Sequence, residues 1–553
     1  MRTLTIIRKS QPQRRDCRTR NKARCSAMTE ASLTTWNALS LSAAKHPDKT
    51  ALRDLQQSLN YAEVLDRVTR ICGGLREIGA GYQTPVAAML DNHVDHALLW
   101  LATGSIGSIE VGLNPQIRGQ ILLDCLLDSA AEVLVIESNY APEILDVLKQ
   151  LPKLRVLVLR EAGDSDVEVI LPGIEVIRWR QLLKAHPGSD VGAVNDSDLF
   201  GIIYTSGSSG KPKGVLVTHA QTYMRCEPGS PGLPGEHDTA LVCLPMFHVV
   251  GLCRGVYSTL INGGTSVLVP RFSASQFWNQ ARQYSATCAP LLGSTAAFLA
   301  AQPQGPNDRN HDVRWVTMSP PIAAVDEFRA RFGVEVYSAY GLTEAVALTS
   351  GRSTGRGTGW LRSDFEMRLV DELDREVPAG SPGELVVRSK QPWLTMPGYH
   401  NNPEATLHIF RNQWLHTGDI FENLPDDELR FVGRKSDRIR RRGENISAGV
   451  IEDAARKHDS IEEAYALAVP DDDGVEDEIL LCVVTTGPGC EPQEIREFLT
   501  QHVPAFMTPR YIASVSQVPM TSSQKVDRGS LRKLVTSAWD ANAKPSNQKR
   551  RKT

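Results

Sequence analysis

Between Ser32 and about Pro270 short apolar runs alternate with amphipathic stretches, and no other feature narrows the possible folds as sharply. VAAML (86–90), AEVLVIE (131–137) and LRVLVL (154–159) are strand-length and apolar, whereas YAEVLDRVTRICGGLREIG carries a helical period. Such alternation predicts α/β layers around largely parallel sheets. From about Met367 the texture shifts to short alternating strands, EMRLVD and GELVVRS, between Pro/Gly turns. This predicts a small antiparallel, β-barrel-like subdomain. Beyond FVGRKSDRIRRRGENIS come helix VIEDAARKH, strands AYALAVP and EILLCVVTT, and helix EPQEIREFLTQHV, enough for one small, mobile α+β domain.

A chain of 553 residues exceeds what one core organises. The expected division is a basic extension over 1–27, a large N-terminal domain over 28–433, a C-terminal domain over 434–541 and a basic tail over 542–553. A net charge of -3 gives no reason to expect nucleic acid or an anionic membrane as partner. No stretch approaches the ~18 apolar residues of a membrane span. The scattered cysteines contain no CxxC pair, so neither a zinc site nor a disulfide framework is expected, and free thiols fit the cytoplasm. The Arg-rich first 27 residues, with Asp16 as their acid, read as a disordered extension, an upstream start before Met28, or an organellar leader.

The stretch YTSGSSGKPKGV (204–215) nearly spells a nucleotide-triphosphate loop. A Walker A loop requires GxxxxGK followed by Ser or Thr. Here Thr205 stands where the first glycine belongs, and Pro212 replaces the magnesium-binding hydroxyl. The chemistry still suits phosphate: a strand delivers small residues whose N–H groups can turn inward, Thr205, Ser206 and Ser208 add hydroxyls, and Lys211 and Lys213 add charge.

YTSGSSGKPKGV resembles the signature of the AMP-forming adenylating superfamily, which includes acyl-CoA synthetases, and further motifs follow in that family's order. SAYGLTE (338–344) resembles its YGxTE element, WLHTGDI (414–420) its TGD element, and GRKSDRIRRRGENI (433–446) its domain junction. VPMTSSQKVDRGSLRK resembles the loop bearing the catalytic lysine; DKTALRD, LPMFHVVGL, GELVVRS and MPGYHNNPEAT are smaller echoes. The resemblance covers roughly 34–536 and implies that 28–433 is an adenylation domain. It implies ATP-dependent activation of a carboxylic acid, with Mg²⁺, followed by transfer to coenzyme A. In that scheme Thr205, Ser206, Gly207, Ser208, Ser209, Gly210, Lys211 and Lys213 grip phosphate. Thr343 holds the α-phosphate, Glu344 the metal, and Tyr340 and Gly341 flank adenine. Asp419 and Arg434 take the ribose, Gly443 admits the pantetheine arm, and Lys525 serves adenylation.

By matching position, the acyl pocket is expected among His248, Gly251, Met318, Ser319, Tyr337, Ser338 and Ala339. The sequence departs from the family at Ser436, followed by Asp437, where the hinge falls, and at Gln524, where glycine normally precedes the lysine. TMSPPIA (317–323) replaces the usual adenine strand. The short stretch after Lys525 leaves no room for an attached carrier domain, so free coenzyme A is the expected acceptor; the alternatives are a separate carrier protein, or a catalytically impaired family member that binds acyl group and nucleotide. GENIS and FSASQFWNQARQYSAT resemble ligases of short, polar or carnitine-like acids. The choice among short-chain, medium-chain, betaine-type and aryl acids stays open.

Overall fold

A computed structural model describes residues 33–161, 169–205, 212–322, 324–435, 438–441, 444–471, 477–487, 490–521 and 526–543. The alternation of apolar runs and helices builds two sheets. After β1 (Thr50–Arg53) and β2 (Ser58–Asn60) come β3 (Pro85–Met89), β4 (Ile109–Gly112), β5 (Val133–Glu137), β6 (Val156–Arg160), β7 (Glu175–Arg178), β8 (Leu199–Thr205) and β9 (Lys213–Thr218). β3 to β9 form a seven-stranded sheet in the order β7-β6-β5-β3-β4-β8-β9. Its neighbours run parallel except β8 and β9, which pair antiparallel. The next strands are β10 (Thr239–Val242), β11 (Thr265–Leu268), β12 (Cys288–Leu292), β13 (Trp315–Ser319), β14 (Glu335–Gly341), β15 (Ala347–Arg352) and β16 (Trp360–Leu361). They join β1 and β2 in a nine-stranded sheet ordered β16-β15-β14-β13-β12-β10-β11-β1-β2.

The helix Val94–Ser105 shows how the sheets stack. Every residue of it is buried, so it has no solvent face and needs cover all round. It shares one core with Val86 and Val133 of the first sheet and Ala240 and Leu268 of the second. Strand alternation sends the intervening residues to the outer faces. There Ala87, Leu134 and Leu157 pack on Leu122, Ile144 and Leu148, and Val316 and Val336 pack on Phe277, Leu299 and Phe328. No helix among the described residues is long and apolar enough to cross a membrane.

β17 (Phe365–Val370), β18 (Gly383–Ser389), β19 (Leu415–Asn423) and β20 (Leu429–Arg434) form the small antiparallel sheet, in that order. Phe365, Leu385, Val387, Leu415, Phe421 and Leu429 pack on one face. On its inner strand β18 sits Glu384, 3% exposed. Lys435 Nζ donates to Glu384 Oε2 at 2.8 Å, Arg411 Nη2 lies 3.2 Å away, and His416 Nδ1 is 3.4 Å from Oε1. Burial opposes ionisation of Glu384, but hydrogen bonds from His416 and Lys435 outweigh it and take the carboxyl down to about 2. A depressed folded-state pKa gives stability that is full above the ordinary value near 4.5 and is lost as pH falls through about 2. Glu384→Gln should therefore cost about 3 kcal/mol at neutral pH, the scale of stripping one partner from a buried ion pair. Urea midpoints of variant and parent should converge between pH 4.5 and about 2.

The last part of the chain has its own core. Ile439 and Ile446, on facing strands Arg438–Arg441 and Glu444–Ser447, pack with Ile451, Leu481, Ile495 and Leu499. Ile461–Pro470 pairs antiparallel with Asp477–Thr485, which pairs parallel with Tyr511–Ser514. The helices Ala448–Ala455 and Pro492–His502 stand where the sequence places helical periods.

Candidate functional site

β8 and β9 pair Thr205 with Lys213, so the glycine- and serine-rich stretch between them joins two antiparallel strands. Ser206, Gly207, Ser208, Ser209, Gly210 and Lys211 lie outside the described residues, as do Ser436, Asp437, Gly443 and Lys525. The two flanks are described. Thr205 Oγ1 donates to Lys213 O at 3.4 Å, and Lys213 Nζ lies 5.3 Å from the centre of the Tyr399 ring.

Tyr399 is the link between motifs. Its hydroxyl donates to Glu344 Oε1 at 2.8 Å. Met396 N donates to Glu344 O at 2.8 Å, His400 N to Gly214 O at 2.7 Å and Leu216 N to Gly398 O at 3.1 Å. The segment 396–400 thus stitches the β9 side of the turn to Glu344. The sequence marked MPGYHNN as a turn; its role as a bridge rests on backbone hydrogen bonds that leave no pattern in residue types.

A second pair of contacts fixes the other end. Tyr340 Oη donates to Asp419 Oδ2 at 2.6 Å, and Arg434 Nε lies 3.6 Å from Asp419 Oδ1. Asp419 and Arg434 stand opposite each other on β19 and β20, and Gly418 takes φ +70°, which turns the TGD corner. Burial, with the Asp419 charge beside it, pushes the Tyr340 phenol well above its ordinary value, so it remains a donor. Gly341 leaves no room for a side chain: a Cβ there would meet Ala347 Cα at 2.8 Å. Tyr340→Phe removes one hydrogen bond to the carboxylate. In the nucleotide-binding role that the sequence resemblance implies, the expected result is a rise of about fivefold in the KM for ATP with kcat little changed, the scale of about 1 kcal/mol, read from initial rates.

Thr343 is held from behind. Arg225 Nη2 donates to Leu342 O at 3.0 Å and to Thr343 O at 2.7 Å, and Gln221 Nε2 donates to Thr343 O at 3.0 Å. Both side chains come from the helix His219–Arg225 that follows β9 directly, so β9 and the Thr343–Glu344 corner share one support. Sequence reasoning missed both; the available signal was a cation in the apolar context TYMRC.

The residues expected around an acyl group divide by strand face. Tyr337 lies beside Thr317, and both face Gly232, whose Cβ position is 2.7 Å from Tyr337 Cβ. Ala339, two residues on along β14, shares the Tyr337 face. Met318 and Ser338 pair in register on the opposite face, and Met318 packs in the helix-covered core with Val316 and Val336. Ser319 ends β13. His248 has its ring centre 4.5 Å from that of Phe247 and stands before Val250–Tyr257, a π-helical stretch of the kind that recurs at functional sites. Gly251 in that stretch is required: a Cβ would lie 2.2 Å from Pro245 O.

The family model for AMP-binding enzymes matches residues 39–400, and that for the AMP-binding enzyme C-terminal domain matches 450–525. Crotonobetaine/carnitine–CoA ligases of Salmonella paratyphi B and Salmonella typhi are each 26% identical over 519 residues, covering 90% of this chain and 98% of theirs. Among solved structures, the anthranilate CoA ligase AuaEII in complex with anthranoyl-AMP superposes with a TM-score of 0.82 at 20% identity, covering 92% of this chain and 98% of its own. A benzoate CoA ligase from Burkholderia xenovorans LB400 does so with 0.79 at 22%, covering 90% and 99%.

Proposed function

Because this chain belongs to the AMP-binding enzyme family, we propose that it joins a carboxylic acid to coenzyme A through an acyl-adenylate. The observation that carries this reading is the convergence of the Thr205–Lys213 turn, Thr343–Glu344 and Tyr340–Asp419 through Tyr399 and the helix His219–Arg225. In the first step a carboxylate oxygen bonds to the α-phosphorus of ATP, and the bond to the bridging oxygen breaks and releases pyrophosphate. In the second the thiolate of coenzyme A bonds to the acyl carbon and AMP leaves. Such chemistry rests on positioning and on neutralising charge.

In this reading the roles follow from the family motifs that the residues occupy. Lys213, with Lys211 and the hydroxyls of the turn, meets the departing phosphates. Thr343, fixed by Arg225 and Gln221, presents its hydroxyl to the α-phosphate, and Asp419 accepts from the ribose hydroxyls. Lys525 balances charge in adenylation and Gly443 admits the thiol arm, the small C-terminal part turning about Ser436–Asp437 between the steps.

Magnesium fits this donor set. The described residues hold no group of three or more His, Cys, Asp or Glu placed to form a cage. Glu344, though, offers one carboxylate beside the phosphate turn, with one oxygen engaged by Tyr399. One carboxylate plus substrate phosphates is how Mg²⁺ is commonly held. When bound there it would neutralise phosphate charge.

The deciting measurement is nucleotide product analysis over a panel of carboxylic acids, with and without coenzyme A. AMP and pyrophosphate are expected with the right acid, and a thioester only when coenzyme A is added. ADP as product, or ATP binding without AMP across the panel, contradicts the reading; AMP with no thioester assigns the acyl group to a separate carrier protein.

A further inference from the structure

Two arginines beside the site stand apart from the ion pairs of the described residues. Arg225 is 6% exposed, and Arg254 projects from the π-helical stretch three residues beyond Gly251. Neither forms an ion pair among the described residues. The hydrogen bonds they make go to backbone oxygens: Arg225 Nη2 to Leu342 and Thr343, and Arg254 Nη2 to Gly232 O at 3.3 Å. The Nε of each is buried without a hydrogen-bond partner.

Of the carboxylates nearby, Glu344 is the one whose charge bears on Arg225, and none reaches either arginine as an ion pair among the described residues. Glu227 and Asp364 are held by Arg362 at 3.1 and 2.7 Å, and Glu344 by Tyr399. The thiols beside the pair are Cys226 and Cys253, and Cys226 Sγ donates to Cys253 O at 3.1 Å. Burial lowers Arg254 to about 10, and Arg225 and Arg362 repel it. A buried guanidinium such as Arg225 without an ion-pair partner is costly, and repulsion from the half-buried Arg254 adds to that cost.

Their position says where an anionic group of a ligand would seat. Gly232, which Arg254 grips, packs on Tyr337 and accepts from Thr317 Oγ1 at 2.7 Å. Arg225 lies directly behind Thr343. Arg225 therefore borders the corner assigned to the α-phosphate, and Arg254 borders the Gly232–Tyr337 wall assigned to the acyl group. We propose that the acid activated here carries a second carboxylate, which seats against Arg254 and Arg225 as their counter-ion. This rests on the acid-activating reading above and names its substrate class: a dicarboxylic acid. Arginine suits the task because its planar fork meets both oxygens of a carboxylate.

The test uses matched pairs, butanoate against succinate, hexanoate against adipate and benzoate against terephthalate. Calorimetric binding is measured in the presence of α,β-methylene-ATP, which cannot react. In at least one pair the diacid should bind about ten- to a hundredfold tighter, since a site built for a polar group rejects the analogue lacking it. Arg254→Met should bring that ratio close to one, and Arg254→Lys should restore part of it. Equal binding within every pair for the parent protein overturns the proposal, as does a ratio unchanged in Arg254→Met. AMP release under turnover conditions separates the two readings. Diacid-selective binding with no AMP from any acid sinks the adenylation reading and leaves this one standing; AMP from the monoacids with no diacid preference does the reverse.

Discussion

Glu344→Gln should leave the fold intact and lower acid-dependent AMP release by about a hundred- to a thousandfold. The substitution keeps shape and hydrogen-bonding capacity: an amide oxygen can still accept from the Tyr399 hydroxyl that now donates to Oε1 at 2.8 Å. The backbone anchor is untouched, because it is the Glu344 carbonyl that accepts from Met396 N. What disappears is one negative charge beside the phosphate turn. The half-saturating concentration of Mg²⁺ should rise with the loss of rate, and the melting temperature should stay within a few degrees of the parent. Tyr399→Phe is the control, since it frees the carboxylate without removing its charge and should cost no more than about tenfold. A Glu344→Gln enzyme within tenfold of the parent at saturating Mg²⁺ would place the metal elsewhere.

That prediction was legible from SAYGLTE, and so was much of the architecture. Strands of a parallel sheet are covered on both faces and read as continuous apolar runs, so VAAML, AEVLVIE and LRVLVL announce β3, β5 and β6 in the sequence itself. Pairing is a different matter. Leu52 of β1 lies opposite Ser266 of β11, which places the start of the chain in the second sheet, and nothing local in TALR encodes that choice. The π-helical stretch after His248 is equally silent, because its apolar composition suits any buried helix.

The candidate site divides in the same way. The roles proposed for Thr205, Thr343, Glu344 and Asp419 rest on side-chain chemistry, which residue type makes legible. Arg225, Gln221 and the 396–400 segment act through hydrogen bonds to or from backbone groups, which any of several residues could make, so only coordinates reveal them. The faces of TMSPPIA needed one further fact, the strand's pairing. Once Met318 is paired with Ser338, alternation puts both opposite to Tyr337.

The largest effects should appear when the two half-reactions are measured apart. Lys525→Ala is expected to slow acyl-adenylate formation by about a hundred- to a thousandfold, the scale of removing one positioned charge or donor from a developing anion. It should leave thioester formation from supplied acyl-AMP within about threefold. Gly443→Leu should do the opposite, because a side chain there obstructs the arm of coenzyme A while adenylation needs no such passage. Both positions belong to the part of the chain built on the second core. Met520 pairs with Val526 across the stretch holding Lys525, and Asp527 N donates to Pro519 O at 2.8 Å. Arg441 pairs with Glu444 across the stretch holding Gly443, and Arg441 Nη1 donates to Thr508 O at 2.8 Å while Nη2 meets Glu478 at 2.8 Å. Each substitution therefore falls between anchored backbone pairs, and its effect should stay local. If one rigid arrangement served both steps, each variant would impair both half-reactions alike. Opposite selectivity of the two variants, measured by single-turnover pyrophosphate release and by thioester formation from acyl-AMP, requires that Lys525 and Gly443 reach the same crevice in turn, through rotation at residues 436–437 beside the Glu384–Lys435 anchor.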